Sequence, residues 1–348
     1  MKNNRLMPVA LKTSISVAAL IAMFAVTPSA AEDAPPPVAY DPYSASSPLS
    51  RTHVPLVERI AHTEPSRWRT EQPHNGPAPL HYGDMFASPY WGPRNASTTK
   101  FNLGSALFFL HHGELPAGAG IGEHFHNNCE EMFVILDGEA QFTVDGRTSL
   151  LKGPAGAPAR LGHAHAIYNS SGKTVEWMNI NVSTLPGVYD AFNLGDPRVG
   201  APLDPIPQFA SMRLDRTLLR PMENFSGGKG TVMYRRALAP NAFASSWSYI
   251  DHVLLPPGAS LGPVRKPEMS EVYYVMNGDG TATIGNESVQ IHRGDAAPAA
   301  IDENRAFVNT GSTPLEFMVI GIAKDMEAKR AYIVAEARKP RPAPLVPR

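Results

Sequence analysis

The sequence GEHFHNNCEEMFVILDGEAQFTVDG, residues 122–146, combines two histidines and two glutamates within a short span. His124 and His126 are separated by one residue, and Glu130 and Glu131 follow them closely. Residues two apart on a β-strand project to the same face, so both imidazoles are expected on one side of a sheet. Imidazole nitrogen and carboxylate oxygen together suit borderline divalent metals such as Fe, Mn, Ni, Cu and Zn. The pattern therefore predicts a metal site.

A second histidine cluster lies in GHAHAIYN, residues 162–169. Either His163 or His165 could complete the site as a fourth ligand. A lone pair of histidines is a weak signal, whereas two clusters and a carboxylate together indicate metal binding more strongly. Cys129, the only cysteine of the chain, is interpreted as a small apolar filler rather than a reactive thiol, and no internal disulfide is expected.

The chain contains a long internal repeat. LPAGAGIGEHFHNNCEEMFVILDGEA begins at Leu115 and LPPGASLGPVRKPEMSEVYYVMNGDG begins at Leu255, and their matching residues lie 140 positions apart. Asn169 and Asn309 keep the same offset. Such self-similarity indicates one supersecondary unit that is used twice.

Both copies predict short β-strands that are separated by glycine turns, which favours a sandwich or barrel. Residues 323–339, AKDMEAKRAYIVAEARK, are the one segment that clearly predicts a helix. The expected organisation is a signal peptide (1–31), a proline-rich leader (32–76), a metal-binding domain (77–186), a linker (187–205), a second domain of the same kind (206–325), and a C-terminal helix and tail (326–348).

The first 31 residues are typical of a signal peptide. Lys2, Arg5 and Lys12 supply positive charge before the apolar residues 13–26, and cleavage is expected after Ala31. The apolar stretch is shorter than the roughly 20 residues that span a bilayer. An uncleaved anchor is the alternative. The mature protein is expected to be periplasmic or secreted and free of the membrane.

The composition excludes some partners. The chain has 348 residues, a net charge of −1, 34 prolines and 28 glycines, and it shows no basic stripe. Nucleic acid is therefore not an expected partner. A small-molecule substrate is expected, and the sequence leaves a monomer and a homodimer both open.

The metal pattern resembles the first signature of the cupin superfamily, which matches without a gap at Gly118, His124, His126, Glu131 and Gly138. The second signature matches at Gly162, His165 and Asn169, whereas Arg160 occupies its proline position. Most of residues 77–325 thus resemble a bicupin. The resemblance implies an all-β fold of two tandem double-stranded β-helix (cupin, jelly-roll) barrels, each with a cup-shaped interior, followed by the short C-terminal helix.

The resemblance implies that the metal ligands are His124, His126, Glu131 and His165. Glu130 is expected to face outward or cap the turn, because only one of two adjacent strand residues faces inward. Glu131 is also the predicted catalytic residue, as an anion that shifts to act as a base.

Four further residues are expected around the cup. Phe133 and Ile135 share the parity of Glu131, so they line the cup or form ordinary barrel core. His163 is either a neighbour of the metal pocket or a solvated turn residue. Asn169 is expected to hydrogen-bond within the barrel and orient the strand of His165, or to satisfy a turn.

The second copy has lost most of the ligand set. Shifting the ligands by 140 positions leads to Val264, Lys266, Glu271 and Arg305. Valine cannot bind a metal and the two cations are not expected to, so this cup is predicted to be metal-free. We hypothesise that Lys266 and Arg305 pair with Glu271 and replace the ion electrostatically. The alternatives are an anion site and drift of these residues to the surface rim.

Four ligands on a six-coordinate ion leave two open positions, which favours a catalytic over a structural site. The resemblance implies one divalent ion, with Fe or Mn favoured, and an enzyme of the dioxygenase or decarboxylase type that acts on a small oxygenated organic molecule. An oxalate enzyme is less favoured, because oxalate-type bicupins usually keep ligands in both domains. An isomerase or lyase on a carbohydrate-derived acid and a non-catalytic binding protein remain alternatives.

Overall fold

Short strands and glycine turns build an all-β architecture with one C-terminal helix, as the sequence predicts. The computed structural model describes residues 53–87, 99–100, 102–185 and 187–338. The predicted signal peptide and residues 32–52 of the expected leader lie outside these ranges. Within them, no helix is long and apolar enough to cross a membrane.

The first barrel and its extensions comprise β1 (Arg69–Glu71), β2 (Leu80–Ala87), β3 (Thr99–Lys100), β4 (Leu107–Leu115), β5 (Gly120–Phe125), β6 (Cys129–Ile135), β7 (Glu139–Val144), β8 (Arg147–Lys152), β9 (Ala155–Ala159), β10 (His165–Tyr168), β11 (Val175–Ser183), β12 (Phe192–Asn193) and β13 (Met212–Arg213). One sheet has the order β1-β2-β4-β11-β6-β9-β13, with β3 beside β2, and the other has the order β12-β5-β10-β7-β8. The cup lies between these two sheets.

The second barrel comprises β14 (Arg220–Glu223), β15 (Thr231–Leu238), β16 (Trp247–Leu255), β17 (Ser260–Arg265), β18 (Met269–Asn277), β19 (Gly280–Ile284), β20 (Glu287–Ile291), β21 (Ala296–Ala299), β22 (Asn304–Val308) and β23 (Leu315–Ala323). Its sheets have the orders β14-β15-β16-β23-β18-β21 and β17-β22-β19-β20. Within the described ranges, the α-helices are α1 (Leu56–Arg59) and α2 (Met326–Ala337).

The two barrels repeat each other in detail. β11 covers residues 175–183 and β23 covers residues 315–323, which preserves the offset of the sequence repeat. Asn169 Nδ2 donates to the carbonyls of Leu115 and Lys173, both at 2.6 Å. Asn309 Nδ2 donates to the equivalent carbonyls, those of Leu255 and Thr313, at 2.7 and 2.8 Å. Asn169 therefore bonds within its barrel.

The barrels pack on each other through a shared apolar core. Met132 and Met178 of the first barrel belong to the same buried cluster as Trp247, Ile250 and Met318 of the second. Outward-facing residues of the large sheets thus become core at this contact, which explains why these strands are apolar on both faces.

Residues 53–76, which the sequence assigns to the leader, pack against both barrels. Leu56 is fully buried in the core of the second barrel, and the Arg59 guanidinium pairs with Glu303 at 2.6 Å. Further on, β1 pairs with β2 of the first barrel. The apolar residues of this segment are too few to give a periodic pattern, so burial was not apparent from its sequence.

Residues 187–205, the expected linker, lie along the first barrel. β12 extends the small sheet beside β5, and Phe192 stacks on Phe125 with the ring centroids 5.0 Å apart. β13, in the part assigned to the second domain, pairs with β9 of the first barrel. The chain therefore pairs with the first barrel twice more, at β12 and β13, before the strands of the second barrel begin.

Glu130 faces away from the cup as expected, but it is only 1% exposed because it faces the contact between the barrels. Its two carboxylate oxygens accept hydrogen bonds from the backbone N–H groups of Ala244 and Ser245, both at 2.7 Å. Lys329 of α2 donates to the carbonyl oxygens of Phe243 and Ser245 at 2.8 and 2.6 Å. Strand parity turns Glu130 away from the cup, but the second barrel covers that side.

Replacing Glu130 with alanine is expected to lower the free energy of unfolding by about 2–4 kcal/mol, because two buried N–H donors lose a charged acceptor. Urea unfolding measures the change. Glu114→Ala is the matched control, since Glu114 is exposed on β4 of the same barrel, and it should change stability by less than about 0.5 kcal/mol. Equal losses in the two variants would show that Glu130 does not stabilise the contact.

Candidate metal centre

Four side chains from three strands converge inside the first barrel. His124 lies on β5 and His126 directly follows it, Glu131 lies on β6, and His165 begins β10. β10 pairs with β5 so that His165 lies opposite His124. One potential ligand atom from each of the four residues lies within 4.8 Å of all the others, and all four residues are buried. The structure thus brings the four predicted ligands together.

The three imidazoles are oriented for binding an ion. Each Nδ1 faces a backbone carbonyl oxygen. His124 Nδ1 lies 2.8 Å from the carbonyl oxygen of Gly122, and His165 Nδ1 lies 3.4 Å from that of His163. His126 Nδ1 lies within hydrogen-bond reach of the carbonyl oxygen of Asp190. A carbonyl only accepts, so Nδ1 carries a proton, and Nε2 presents a lone pair wherever the ring is neutral.

The Nε2 atoms of all three histidines are buried and lack a hydrogen-bond partner among the described residues. His126 Nε2 lies 2.8 Å from Glu131 Oε2, a close contact without hydrogen-bond geometry. Buried nitrogens are normally paired, so two imidazoles with unpaired nitrogens, beside a third whose nitrogen contacts the carboxylate, fit a metal ion.

Burial and neighbouring charge set the protonation of the cluster. Burial holds the pKa of His124 well below its usual value and lowers the pKa of His165 to about 4, so both rings are neutral. Burial also disfavours the charged form of His126, but the Glu131 carboxylate outweighs this and raises the pKa of His126 to about 11. An ion that binds here must displace the proton of His126.

Two amides of β11 hold the Glu131 carboxylate. Asn179 Nδ2 donates to Oε1 at 2.6 Å, and Asn181 Nδ2 donates to Oε2 at 3.0 Å. Although burial raises the pKa of Glu131, the neighbouring imidazoles hold it well below its usual range. The carboxylate is therefore anionic and oriented, as a ligand requires. Neither asparagine was predicted, although their alternation along β11 is a usable signal.

The other predicted residues take different positions. Phe133 lies beside the cluster, with its ring centroid 5.2 Å from that of His165, whereas Ile135 is ordinary barrel core. His163 corrects the expected pocket role: its exposed imidazole pairs with Asp145 at 2.6 Å, and only its carbonyl serves His165. It precedes β10 in a turn, so strand parity does not apply to it. Cys129 is buried and accepts from Asn181 Nδ2 at 3.3 Å.

A cavity of about 470 Å³ opens beside the cluster and is lined by Glu131 and Asn179. The segment that was assigned to the leader contributes Arg69, Glu71 and His74 to its wall. The His74 ring lies parallel to that of His124, with the centroids 3.8 Å apart. A Cβ atom on Gly122 would lie 1.9 Å from the His74 carbonyl oxygen, so only glycine permits this approach.

The corresponding region of the second barrel holds a cluster of charged side chains. Glu271 Oε1 accepts from Lys266 Nζ and Tyr249 Oη, both at 2.7 Å. Glu271 Oε2 accepts from Arg305 Nη1 at 2.9 Å and from Tyr273 Oη at 2.8 Å. Arg305 is fully buried, which does not fit the surface-rim alternative, and the half-buried Val264 is its register partner.

The sequence offset explains how the partners of the carboxylate changed. Phe109 and Phe133 of the first barrel become Tyr249 and Tyr273, which add two hydroxyl donors. Asn179 and Asn181 become Val319 and Gly321, so the amide donors are absent. Gly321 has no side chain, and a Cβ atom there would lie 2.1 Å from the Tyr249 ring. The two amide donors on β11 of the first barrel are thus replaced by two hydroxyl donors on β16 and β18 of the second.

The fold and the site define an all-β protein of two barrels, with a His/Glu cluster that could hold a metal in the first of them. The cupin domain model matches residues 111–181 and 251–321. An oxalate-binding protein of Thermotoga maritima is 31% identical over 99 residues, which cover 28% of this chain and 82% of that protein. The chain therefore belongs to the cupin superfamily and carries two cupin domains.

Solved structures share the two-barrel fold. The oxalate decarboxylase of Lactobacillus farciminis, in a formate complex, has a TM-score of 0.51 at 15% identity and covers 80% of this chain and 93% of its own. A salicylate 1,2-dioxygenase from Pseudaminobacter salicylatoxidans has a TM-score of 0.50 at 14% identity and covers 66% of this chain and 74% of its own. At these identities the likeness is one of fold.

Proposed function

We propose that the protein is an exported, metal-dependent bicupin enzyme that acts on a small oxygenated organic substrate, as an oxygen-dependent oxidoreductase of the dioxygenase or decarboxylase type. One observation carries the proposal: one nitrogen from each of three imidazoles and a carboxylate converge beside a cavity of about 470 Å³. A structural ion is enclosed by its ligands, whereas a site beside a cavity leaves coordination positions for a substrate.

His124, His126, Glu131 and His165 would hold one divalent ion, with Fe or Mn favoured and Ni, Cu or Zn as alternatives. When bound, the ion supplies Lewis acidity toward oxygen atoms of the substrate. The chain contributes neutral imidazoles at His124 and His165 and an anionic carboxylate at Glu131. Because the pKa of Glu131 is held low, its carboxylate serves better as a ligand than as the base that the sequence suggested.

The proposal places the protein in the periplasm or outside the cell. Its support is the charge and apolar pattern of residues 1–31, with small residues before the expected cleavage after Ala31. Arg69, Glu71 and His74 line the cavity, so the mature chain must keep this segment for the site to be complete.

Oxygen uptake tests the reaction. Protein loaded with Fe²⁺ or Mn²⁺ is screened with catechols, enediols and small acids, and uptake with at least one substrate is expected. His163→Ala is the matched control because its imidazole lies outside the cavity, and it should keep the activity. Conversion that neither consumes nor requires oxygen, for example of an unsaturated uronate, would instead favour an isomerase or lyase.

A second candidate is binding without turnover. The observation in its favour is the relative of Thermotoga maritima, which is named an oxalate-binding protein. Tight binding of a ligand by metal-loaded protein, with neither product nor oxygen uptake, would support this candidate over the enzyme.

A further inference from the structure

Aromatic side chains are half of the residues that line the cavity beside the metal centre. The rings belong to His74, Tyr82, Phe109, His111, Trp177 and Tyr189. The volume of about 470 Å³ falls within the roughly 300–1,000 Å³ of typical small-molecule sites. Flat aromatic walls favour a planar ring as the ligand, because rings stack and bury apolar area against one another.

The positive charge of this wall is already neutralised. Arg69 Nη1 and Nη2 donate to the two oxygens of Asp84 at 2.8 and 3.0 Å, and its Nε lies 3.0 Å from Glu71 Oε1. His111 Nε2 lies 2.6 Å from Asp84 Oδ1. Asp84 and Glu71 supply two negative charges, whereas Arg69 and His111 together supply at most two positive charges. Among the described lining residues, no cation is thus left for a carboxylate of the substrate.

β11 carries two unpaired polar atoms on residues that line this cavity. Trp177 Nε1 and Asn179 Oδ1 are buried and have no hydrogen-bond partner in the described part of the chain. Asn179 Nδ2 donates to Glu131, and a carboxylate only accepts, so Oδ1 is the end left free. Both residues line the cavity and lie two apart on one strand face. A ligand that pairs both atoms needs a donor and an acceptor.

We propose that the ligand of this cavity is an uncharged, planar, hydroxylated ring of the catechol type. Adjacent hydroxyl groups would bind the ion that the metal centre holds, one hydroxyl donates to Asn179 Oδ1, and the oxygen of the other accepts from Trp177 Nε1. The inference rests on the proposed function for the metal. It narrows the substrate class to neutral diols and excludes small dianions such as oxalate.

Calorimetric titration of Zn²⁺-loaded protein tests the ligand class without oxygen chemistry. The matched probes are 4-methylcatechol and 3,4-dihydroxybenzoate, which differ in whether a methyl or a carboxylate group is on the ring, and oxalate is the third probe. We expect 4-methylcatechol to bind about tenfold tighter than either acid, because the wall offers the acids no unpaired cation.

Two variants assign the preference to the wall. Trp177→Phe keeps a ring but removes the N–H, and it should weaken binding of 4-methylcatechol about five- to tenfold. Glu71→Gln removes one negative charge from the wall, so it should reduce the difference in affinity between 4-methylcatechol and 3,4-dihydroxybenzoate. Measured zinc content confirms that the metal cluster is intact in each variant.

Tighter binding of either acid, no binding of 4-methylcatechol, or unchanged affinity in Trp177→Phe would overturn the inference. These titrations are independent of turnover. If 4-methylcatechol binds as expected and the Fe²⁺-loaded protein consumes no oxygen, the proposed reaction fails and the ligand class stands.

Discussion

Replacing Glu271 with alanine is expected to lower the free energy of unfolding by about 3–5 kcal/mol, because a buried guanidinium loses its counter-ion. Arg305 is 0% exposed, and Glu271 is the carboxylate that it contacts. Burial alone would raise the pKa of Glu271, but the charges of Lys266 and Arg305 lower it to about 2, so the carboxylate is ionised. Urea unfolding of wild type and variant measures the loss.

Glu268→Ala is the matched control for this prediction. Glu268 precedes the same strand, is 59% exposed, and lies 4.0 Å from Lys324 in a surface pair, so its loss should cost less than about 1 kcal/mol. Glu271→Gln tests the charge separately, since the amide keeps the shape. An unchanged unfolding midpoint in both Glu271 variants would contradict the view that the charged cluster replaces an ion.

Replacing His124 with alanine is expected to abolish the stabilisation of the protein by added metal. An ion at about 100 times its dissociation constant stabilises a protein by about 2.7 kcal/mol. His124 supplies one of the three converging imidazole nitrogens, and its ring also stacks on that of His74. Thermal unfolding of wild type and variant, with Mn²⁺ and with a chelator, measures the difference.

The control for this experiment is His163→Ala, since that side chain is exposed and pairs with Asp145. It should keep the full response to metal. His165→Asn provides a second variant that preserves polarity if His124→Ala folds poorly, and it should respond as His124→Ala does. A normal metal response in both ligand variants would show that the ion binds elsewhere.

Strand parity predicted that His124 and His126 lie together, whereas the resemblance to the cupin signatures assigned Glu131 and His165 to the metal cluster. His124 and His126 share a face because they lie two apart, and the repeat fixed which positions of the second barrel to compare. The same offset also relates Phe109 to Tyr249 and Phe133 to Tyr273, so the hydroxyl partners of Glu271 were accessible from the sequence. Neither tyrosine replaces a metal ligand, so the ligand positions alone do not reveal them.

The remaining parts of the site depend on contacts between distant segments. His74 stacks on His124 across 50 residues of sequence, and Arg69 and Glu71 lie in a segment without apolar periodicity. For Glu130, the strand face was predicted correctly, but the sequence did not reveal that the second barrel buries that face. Local patterns specify a strand face and do not specify what covers it.

The number of metal ions per chain tests the central claim most directly. Purified mature protein, loaded with metal and freed of excess, is analysed by elemental analysis beside its His126→Ala variant. The structure predicts one equivalent in the wild type and less than about 0.1 in the variant, because the second barrel holds Lys266 and Arg305 on Glu271. Two equivalents in the wild type, or one retained in His126→Ala, would contradict a single metal centre in the first barrel.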